Sequence, residues 1–331
     1  MKTINIFLIA TFLLLCQTAK SQDFHLSQYD AATLYTNPAL TGMYLGDKKT
    51  DYRIYGNFRQ QWRTVGKPFN TGYLAYDKVH KRFGLGGYLI NNRAGSSNFN
   101  NLNFMLSGAY QIMDDPTEKH FLSAGLQIGV FQKSFNPMNL VFDNQYSSTA
   151  DGGFDPNLAS GEYFERTSLM RLDGNMGIFY KYRDEEKKVH PFGGFSIYHL
   201  TMPNESFTSQ KSRMPMRYVF TAGSDIKIND DISVTPLVLF MMQARATELN
   251  IGALGYYKLK DTEYDIIFGL GYRNKDAVII HAGLKQGANV YRISYDVNSS
   301  YLGAFTGRRG GFEISAVYSG VISRVAQTKF D

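Results

Sequence analysis

Cysteine, tryptophan and proline are scarce in this 331-residue chain, which has one, one and nine of them. The lone Cys16 lies in an apolar N-terminal run, so the chain beyond it has no disulfide, thiolate ligand or thiol nucleophile. Past that run no apolar stretch approaches the roughly 20 residues of a spanning helix; residues 237–242 are typical of the longest. Charge is not concentrated either. The formal net charge of +6, or +4 once Lys2 and Lys20 are set aside, is scattered along the chain. That excludes a nucleic-acid stripe and a polybasic membrane anchor. If this chain enters a membrane, it enters as strands.

What is plentiful fits that reading. Tyr, Phe and Gly number 23, 24 and 31, a mix that favours pleated structure with many turns. The segment 120–132 shows the pattern most plainly. Leu122, Ala124, Leu126, Ile128 and Val130 alternate with Ser123, Gly125, Gln127 and Gly129. A period of two sends one set to each face of a strand. The apolar face suits either a soluble core or lipid, with the small polar face then lining a lumen.

Residues 1–21 read as a secretory signal peptide. Lys2 precedes the apolar 4–15, and Ala19-Lys20-Ser21 forms a cleavage site before Gln22. Lipidation at Cys16 is the competing reading, opposed by Leu15 where a small residue is expected. Residues 22–50 form an aperiodic segment with turn signals at Asn37-Pro38 and Thr41-Gly42. It either plugs a lumen or covers the periplasmic mouth, and an ordered extension packed on the wall accounts for it equally well.

Strands are expected from residue 52 onward. On the first, Tyr52, Ile54, Phe58 and Trp62 oppose Arg53, Tyr55, Asn57, Arg59 and Gln61. Further runs fall near 70–78, 83–92, 102–112, 120–133, 172–182, 189–200, 216–228, 232–243, 249–259, 264–273, 277–285, 290–297 and 312–319. This makes about 14 strands near the ~10 residues that a tilted membrane strand needs. Short charged connections (77–82, 113–119, 183–188, 229–231, 260–263) alternate with longer or more variable ones (91–101, 136–167, 201–215, 298–311). Such sorting is the asymmetry of bacterial outer-membrane barrels. One face carries Arg53, Arg59, Asp225, Lys227, Arg273, His281, Lys285, Arg292, Asp296 and Glu313, and the other is apolar. Every backbone group is paired only if the sheet closes on itself. The expected fold is therefore all-β: a transmembrane antiparallel barrel over 51–321, with 322–331 as a tail.

A search for chemistry returns little. His25, His80, His120, His190, His199 and His281 show no metal-ligand spacing. His281 reads as a hydrogen-bonded wall residue. No nucleophile elbow or phosphate loop is present. Asp143, Asp151, Asp155, Glu162 and Glu165 lack the repeat of a calcium loop and read as solvated charge. No catalytic residue, metal ligand or cofactor is assigned. Arg59, Gln60 and Gln61 before Trp62 read either as a hydrogen-bonding wall capped by an interfacial aromatic or as a contact surface.

Several stretches carry a family resemblance. Residues 23–42 (DFHLSQYDAATLYTNPALTG), Arg59-Gln60-Gln61-Trp62 and 192–207 (FGGFSIYHLTMPNESF) resemble the PorP/SprF family of outer-membrane proteins. So do Tyr295-Asp296 with Ser300 and Leu302, and Glu313-Ile314-Ser315. The similarity spans essentially all of the chain after the signal. Two features depart from it: Phe312 stands where the family pattern has a histidine, and the chain continues past its last strand to Lys329-Phe330-Asp331.

The resemblance implies a non-enzymatic component of the type IX secretion system, sometimes tied to gliding. It would sit in the cell outer membrane, in contact with its lipid, with a periplasmic N-terminus and long loops outside. Partners would be secretion-machine subunits, a secreted surface protein or adhesin whose export or retention it helps, or both, and no nucleic acid. Expected contact regions are 23–42 on the periplasmic side and 136–167 with 298–311 outside. The candidate partner-binding residues are Asn37, Pro38, Arg59, Gln61 and Trp62. A diffusion channel or transporter is the alternative, and an outer-membrane lipase or protease the third reading.

Overall fold

The computed structural model describes residues 23–43, 50–63, 66–113, 115, 117, 119–148, 153–155, 157–301 and 303–322. The expected signal peptide, most of the C-terminal tail and Asp151 lie outside the described residues. Fourteen strands run from β1 (Tyr52–Gln61), β2 (Phe69–His80), β3 (Phe83–Ala94), β4 (Phe99–Gln111) and β5 (His120–Ser134) to β6 (Ser168–Tyr182) and β7 (Val189–Tyr198). They continue through β8 (Arg217–Lys227), β9 (Ile232–Gln243), β10 (Ala246–Lys258), β11 (Tyr264–Arg273), β12 (Ala277–Gln286), β13 (Asn289–Asn298) and β14 (Arg309–Gly320). Each strand pairs antiparallel with its neighbours, and β1 pairs with β14 to close the barrel. No helix among the described residues is long and apolar enough to cross a membrane.

The alternation in the sequence becomes the two sides of the wall. On β5, Leu126 and Ile128 are each 65% exposed, while Ser123 and Gln127 are 0% and 4% exposed. Ile54 and Phe58 on β1, and Phe312 and Ile314 on β14, face outward like them. Closure pairs the ladder without a free edge, which suits a hydrocarbon surround.

Several boundaries depart from the sequence reading, the starts of β10 at Ala246 rather than Leu249 and of β14 at Arg309 rather than Phe312 among them. The connection expected over 91–101 shrinks to 95–98, because β3 and β4 carry polar ends that pair with one another. Asn91 Nδ2 donates to Asn100 Oδ1 there, at 2.9 Å. Likewise β6 starts at Ser168 rather than Leu172. Trp62 falls outside β1: its backbone is left-handed (φ 54°) and its ring packs edge-on against Phe69 at 4.8 Å. The rim holding 135–167, 199–216 and 299–308 is the long-connection rim, and the opposite rim holds shorter connections, from 81–82 and 287–288 up to 112–119.

The inner face is not uniformly polar. Tyr55, Tyr73, Tyr88, Ile90 and Met105 point inward and form a buried cluster with Leu26, Ala32 and Leu34. Residues 23–43 therefore lie inside the barrel, folded into short helical turns at Tyr29–Ala31, Thr33–Thr36 and Pro38–Leu40. Fully burying a leucine side chain stabilises by about 1.5–3 kcal/mol, so this apolar contact holds the segment firmly.

The two faces predict opposite responses to charge. Leu126→Arg near the middle of β5 should cost about 2–4 kcal/mol in vesicle-based unfolding titrations. A cost near zero would show that this face does not meet lipid.

Candidate functional site

Four charges meet inside the wall. Arg59 comes from β1, Arg273 from β11, Asp296 from β13 and Glu313 from β14, and none has a side chain more than 2% exposed. Arg59 and Glu313 stand opposite each other in the register that closes the barrel. Arg59 Nη1 lies 2.9 Å from Glu313 Oε2, and Arg59 Nη2 lies 2.7 Å from Asp296 Oδ2. Arg273 Nη2 reaches the same Asp296 oxygen at 2.6 Å. Two cations and two anions so arranged compensate each other's loss of hydration.

The luminal segment supplies further partners. Ser27 Oγ donates to Asp296 at 2.8 Å and accepts from Arg59 and Arg273. The backbone N–H groups of Ser27 and Gln28 donate to the two oxygens of Glu313, at 2.8 and 3.0 Å. Asn57 Nδ2 gives Glu313 a further bond at 2.8 Å. Gln28 also bonds Ser294 and Ser315, and Asp30 pairs with Arg292 at 2.6 Å. Each carboxylate thus accepts several charge-assisted bonds, the arrangement that makes a buried ion cluster tenable.

A second anchorage lies across the lumen. Asn37 Nδ2 donates to the Ile178 carbonyl on β6 at 2.9 Å, and Asn37 Oδ1 accepts from Ala39 N to start the turn at Pro38. Ser123, Gln127 and Ser196 donate to the carbonyls of Ala39, Leu34 and Thr36. The wall here admits main chain only because it lacks side chains. A Cβ on Gly125 would stand 2.3 Å from the Pro38 carbonyl oxygen, and one on Gly84 only 1.8 Å from that of Thr41. Because the segment bonds strands on opposite walls, it spans the lumen as a plug.

The plug runs from rim to rim. Asp23 sits beside His199, just beyond β7, and Arg217, the first residue of β8, both at the long-connection end. Gly42 N donates to Asp77 near the short-turn end of β2 at 2.7 Å. His199 bridges Asp23 Oδ2 at 2.6 Å and Asp173 Oδ2 at 2.5 Å. Burial opposes charge on His199, but Asp23 and Asp173 outweigh it and raise its pKa to about 9. Burial likewise works against charge on Asp23, and His199 with Arg217 more than reverses it, holding this carboxyl below the usual range.

Of the residues singled out in the sequence, Asn37, Pro38, Arg59 and Gln61 are buried against the protein's own chain. Trp62 is half-buried at the long-connection rim, its N–H bonded to the Gly310 carbonyl at 3.0 Å. Arg59 and Asn37 are brought into the two plug anchorages; Gln61 and Trp62 border the first. Sequence reasoning placed Arg273, Asp296 and Glu313 on the polar face without uniting them, and did not single out Ser27 and Gln28. Among the described residues no cluster of His, Cys, Asp or Glu suits a metal ion.

The comparisons agree with this architecture. The structure is similar to the CymD monoaromatic hydrocarbon channel, with a TM-score of 0.51 at 13% identity over 89% of this chain and 93% of that one. It is also similar to the P. putida toluene transporter TodX, with a TM-score of 0.51 at 10% identity over 89% and 95% of the two chains. At such identity the likeness is one of fold. No curated protein matches the sequence. The family model for the type IX secretion system membrane protein PorP/SprF matches residues 18–318, and the chain belongs to that family.

Two measurements check the site. Arg59→Met leaves buried carboxylates uncompensated and should cost about 3–5 kcal/mol of barrel stability. A denaturant titration of the folded barrel reads that loss, and a change under 1 kcal/mol would refute the junction's role. The His199 contribution is complete below its ordinary pKa of 6.5 and is lost as pH rises through about 9. The heat-modification midpoint should therefore fall between pH 7 and 10, and fall less in His199→Gln. Equal pH slopes would contradict this.

Proposed function

We propose that this member of the type IX secretion system membrane protein PorP/SprF family is a non-enzymatic outer-membrane scaffold. It helps the export or surface retention of a secreted client or adhesin. The observation that carries this reading is the filled lumen. A segment bonded to both walls leaves no wide aqueous channel, so the surfaces that remain for recognition are the rims. This speaks against the alternative of an open diffusion channel.

Bacterial barrels keep short turns in the periplasm and long loops outside. On that rule the 135–167, 199–216 and 299–308 connections face the exterior and hold the client. The short turns, with Thr41 to Met43 at the end of the plug, face periplasmic subunits of the machine. The outer connections fit protein contact. Phe135, Phe164 and Phe207 stack edge-on and stiffen them, while Met138, Tyr163 and Tyr301 are 89%, 78% and 100% exposed. Apolar side chains displayed on an ordered frame mark interaction surfaces. Asn37, Pro38 and Arg59 then serve partners indirectly, by holding the plug, and Gln61 and Trp62 shape the rim.

Affinity purification from the native outer membrane, read by mass spectrometry, tests the proposal. Secretion-machine subunits or one surface protein should accompany the barrel in stoichiometric amount. Met138→Asp with Tyr163→Asp should reduce client recovery at least about tenfold, as expected for hot-spot side chains, with barrel assembly unchanged. A native barrel that purifies alone, or unchanged recovery with the double variant, would count against it.

A further inference from the structure

The plug does not fill the lumen completely. A vestibule of about 250 Å³ opens near the short-turn end, bounded among others by Thr33, Met43, Lys181, Asp225 and Tyr256. A second void of about 20 Å³ lies against Ser27, Asn250, Gly271 and His281. A third, of about 10 Å³, lies towards the long-connection end against His25, Leu26, Arg217 and Met241. Tyr29 lines all three, and no other residue is common to them.

The small voids are about the size of one water each. Apolar side chains make up much of their walls, but each void also touches residues that carry unpaired polar atoms. Asn250 and His281 line one, and His25 and Arg217 the other; Asn250 Nδ2, His281 Nδ1, His25 Nε2 and Arg217 Nε are buried without a hydrogen bond, His25 Nε2 standing 3.9 Å from Asp276 Oδ2. Asn250, His281 and Arg217 are each more than nine-tenths buried. Leaving such groups unpaired costs about 1–3 kcal/mol apiece. A water accepting from Asn250 Nδ2 and donating to His281 Nδ1 removes that cost at the first void. One accepting from Arg217 Nε and bonding His25 Nε2 does so at the other.

We propose that these sites form a hydrated track through the barrel beside the plug, with the Tyr29 ring as its constriction. Water occupies the track, and the ring closes it to small inorganic ions. The vestibule brings charges of both signs to its entrance, Lys181 and Asp225 being paired at 2.6 Å. Once opened at Tyr29, the track would pass small hydrated ions in general rather than one sign of charge. This inference stands apart from the identity of any client.

Planar-bilayer recording in potassium chloride tests it on the full barrel, with heat-modified gel mobility confirming that each variant is folded. The native barrel and Tyr29→Phe should be silent, while Tyr29→Ala should give discrete current steps. Thr221→Trp fills the vestibule, and adding it to Tyr29→Ala should abolish the steps. Leu254 borders both the vestibule and the second void, so Leu254→Ala serves as the opening variant if Tyr29→Ala does not assemble. A folded but silent opening variant would overturn the proposal. So would steps that survive Thr221→Trp, or native steps as large as those of Tyr29→Ala.

Discussion

The structure depends on one buried ionic junction. Arg59 and Glu313 face each other where the first and last strands close the barrel, and Asp296 and Arg273 extend the junction to β13 and β11. The opposite charges pair, with Asp276 a further partner of Arg273 at 2.5 Å, but they are not satisfied by one another alone. Ser27 and Gln28 add hydrogen bonds to them from within the lumen. Closure of the sheet and seating of the plug therefore rest on the same set of bonds. A barrel without the plug would leave two carboxylates and two guanidinium groups short of partners, and a plug without the seam would have nothing to cap.

This junction gives a physical reading of the motifs by which the sequence resembles its family. The opening segment supplies Ser27 and Gln28. Arg59 comes from the Arg-Gln-Gln-Trp stretch, Asp296 from Tyr-Asp, and Glu313 with Ser315 from Glu-Ile-Ser. Stretches scattered over the chain meet at one place inside the wall. Phe312, where the pattern has a histidine, is the outward neighbour of Glu313 and takes no part in the junction. Its replacement of an imidazole changes the lipid-facing surface rather than the ionic core.

Much of the fold was legible in the sequence. Alternation placed β9 and β11 at their observed bounds, because both strands are apolar on one face along their whole length. It fell short at the facing ends of β3 and β4, where Asn91, Asn92, Asn100 and Asn101 put polar groups on both faces, and at the starts of β6, β10 and β14. The candidate site was legible only in parts. Arg59 and Glu313 fell on the polar face, but their meeting bridges 254 positions and exists only once the sheet closes. The plug left a trace that a period-two reading passes over. Tyr73, Tyr88, Ile90 and Met105 put apolar groups on the inner face, which makes no sense for a water-filled lumen and good sense for a packed one. Nor do the short helical turns of 23–43 offer a repeat to detect.

The central claim is that residues 23–43 are an integral part of the folded barrel, held by the ionic junction and the glycine-lined wall. Hydrogen exchange of this segment, read by mass spectrometry on the native protein in lipid, tests that most directly. The account predicts that the amides of Ser27, Gln28 and Ala39 exchange as slowly as those of the barrel strands. Exchange of the segment at the rate of an unstructured peptide, within a barrel whose strands stay protected, would contradict it.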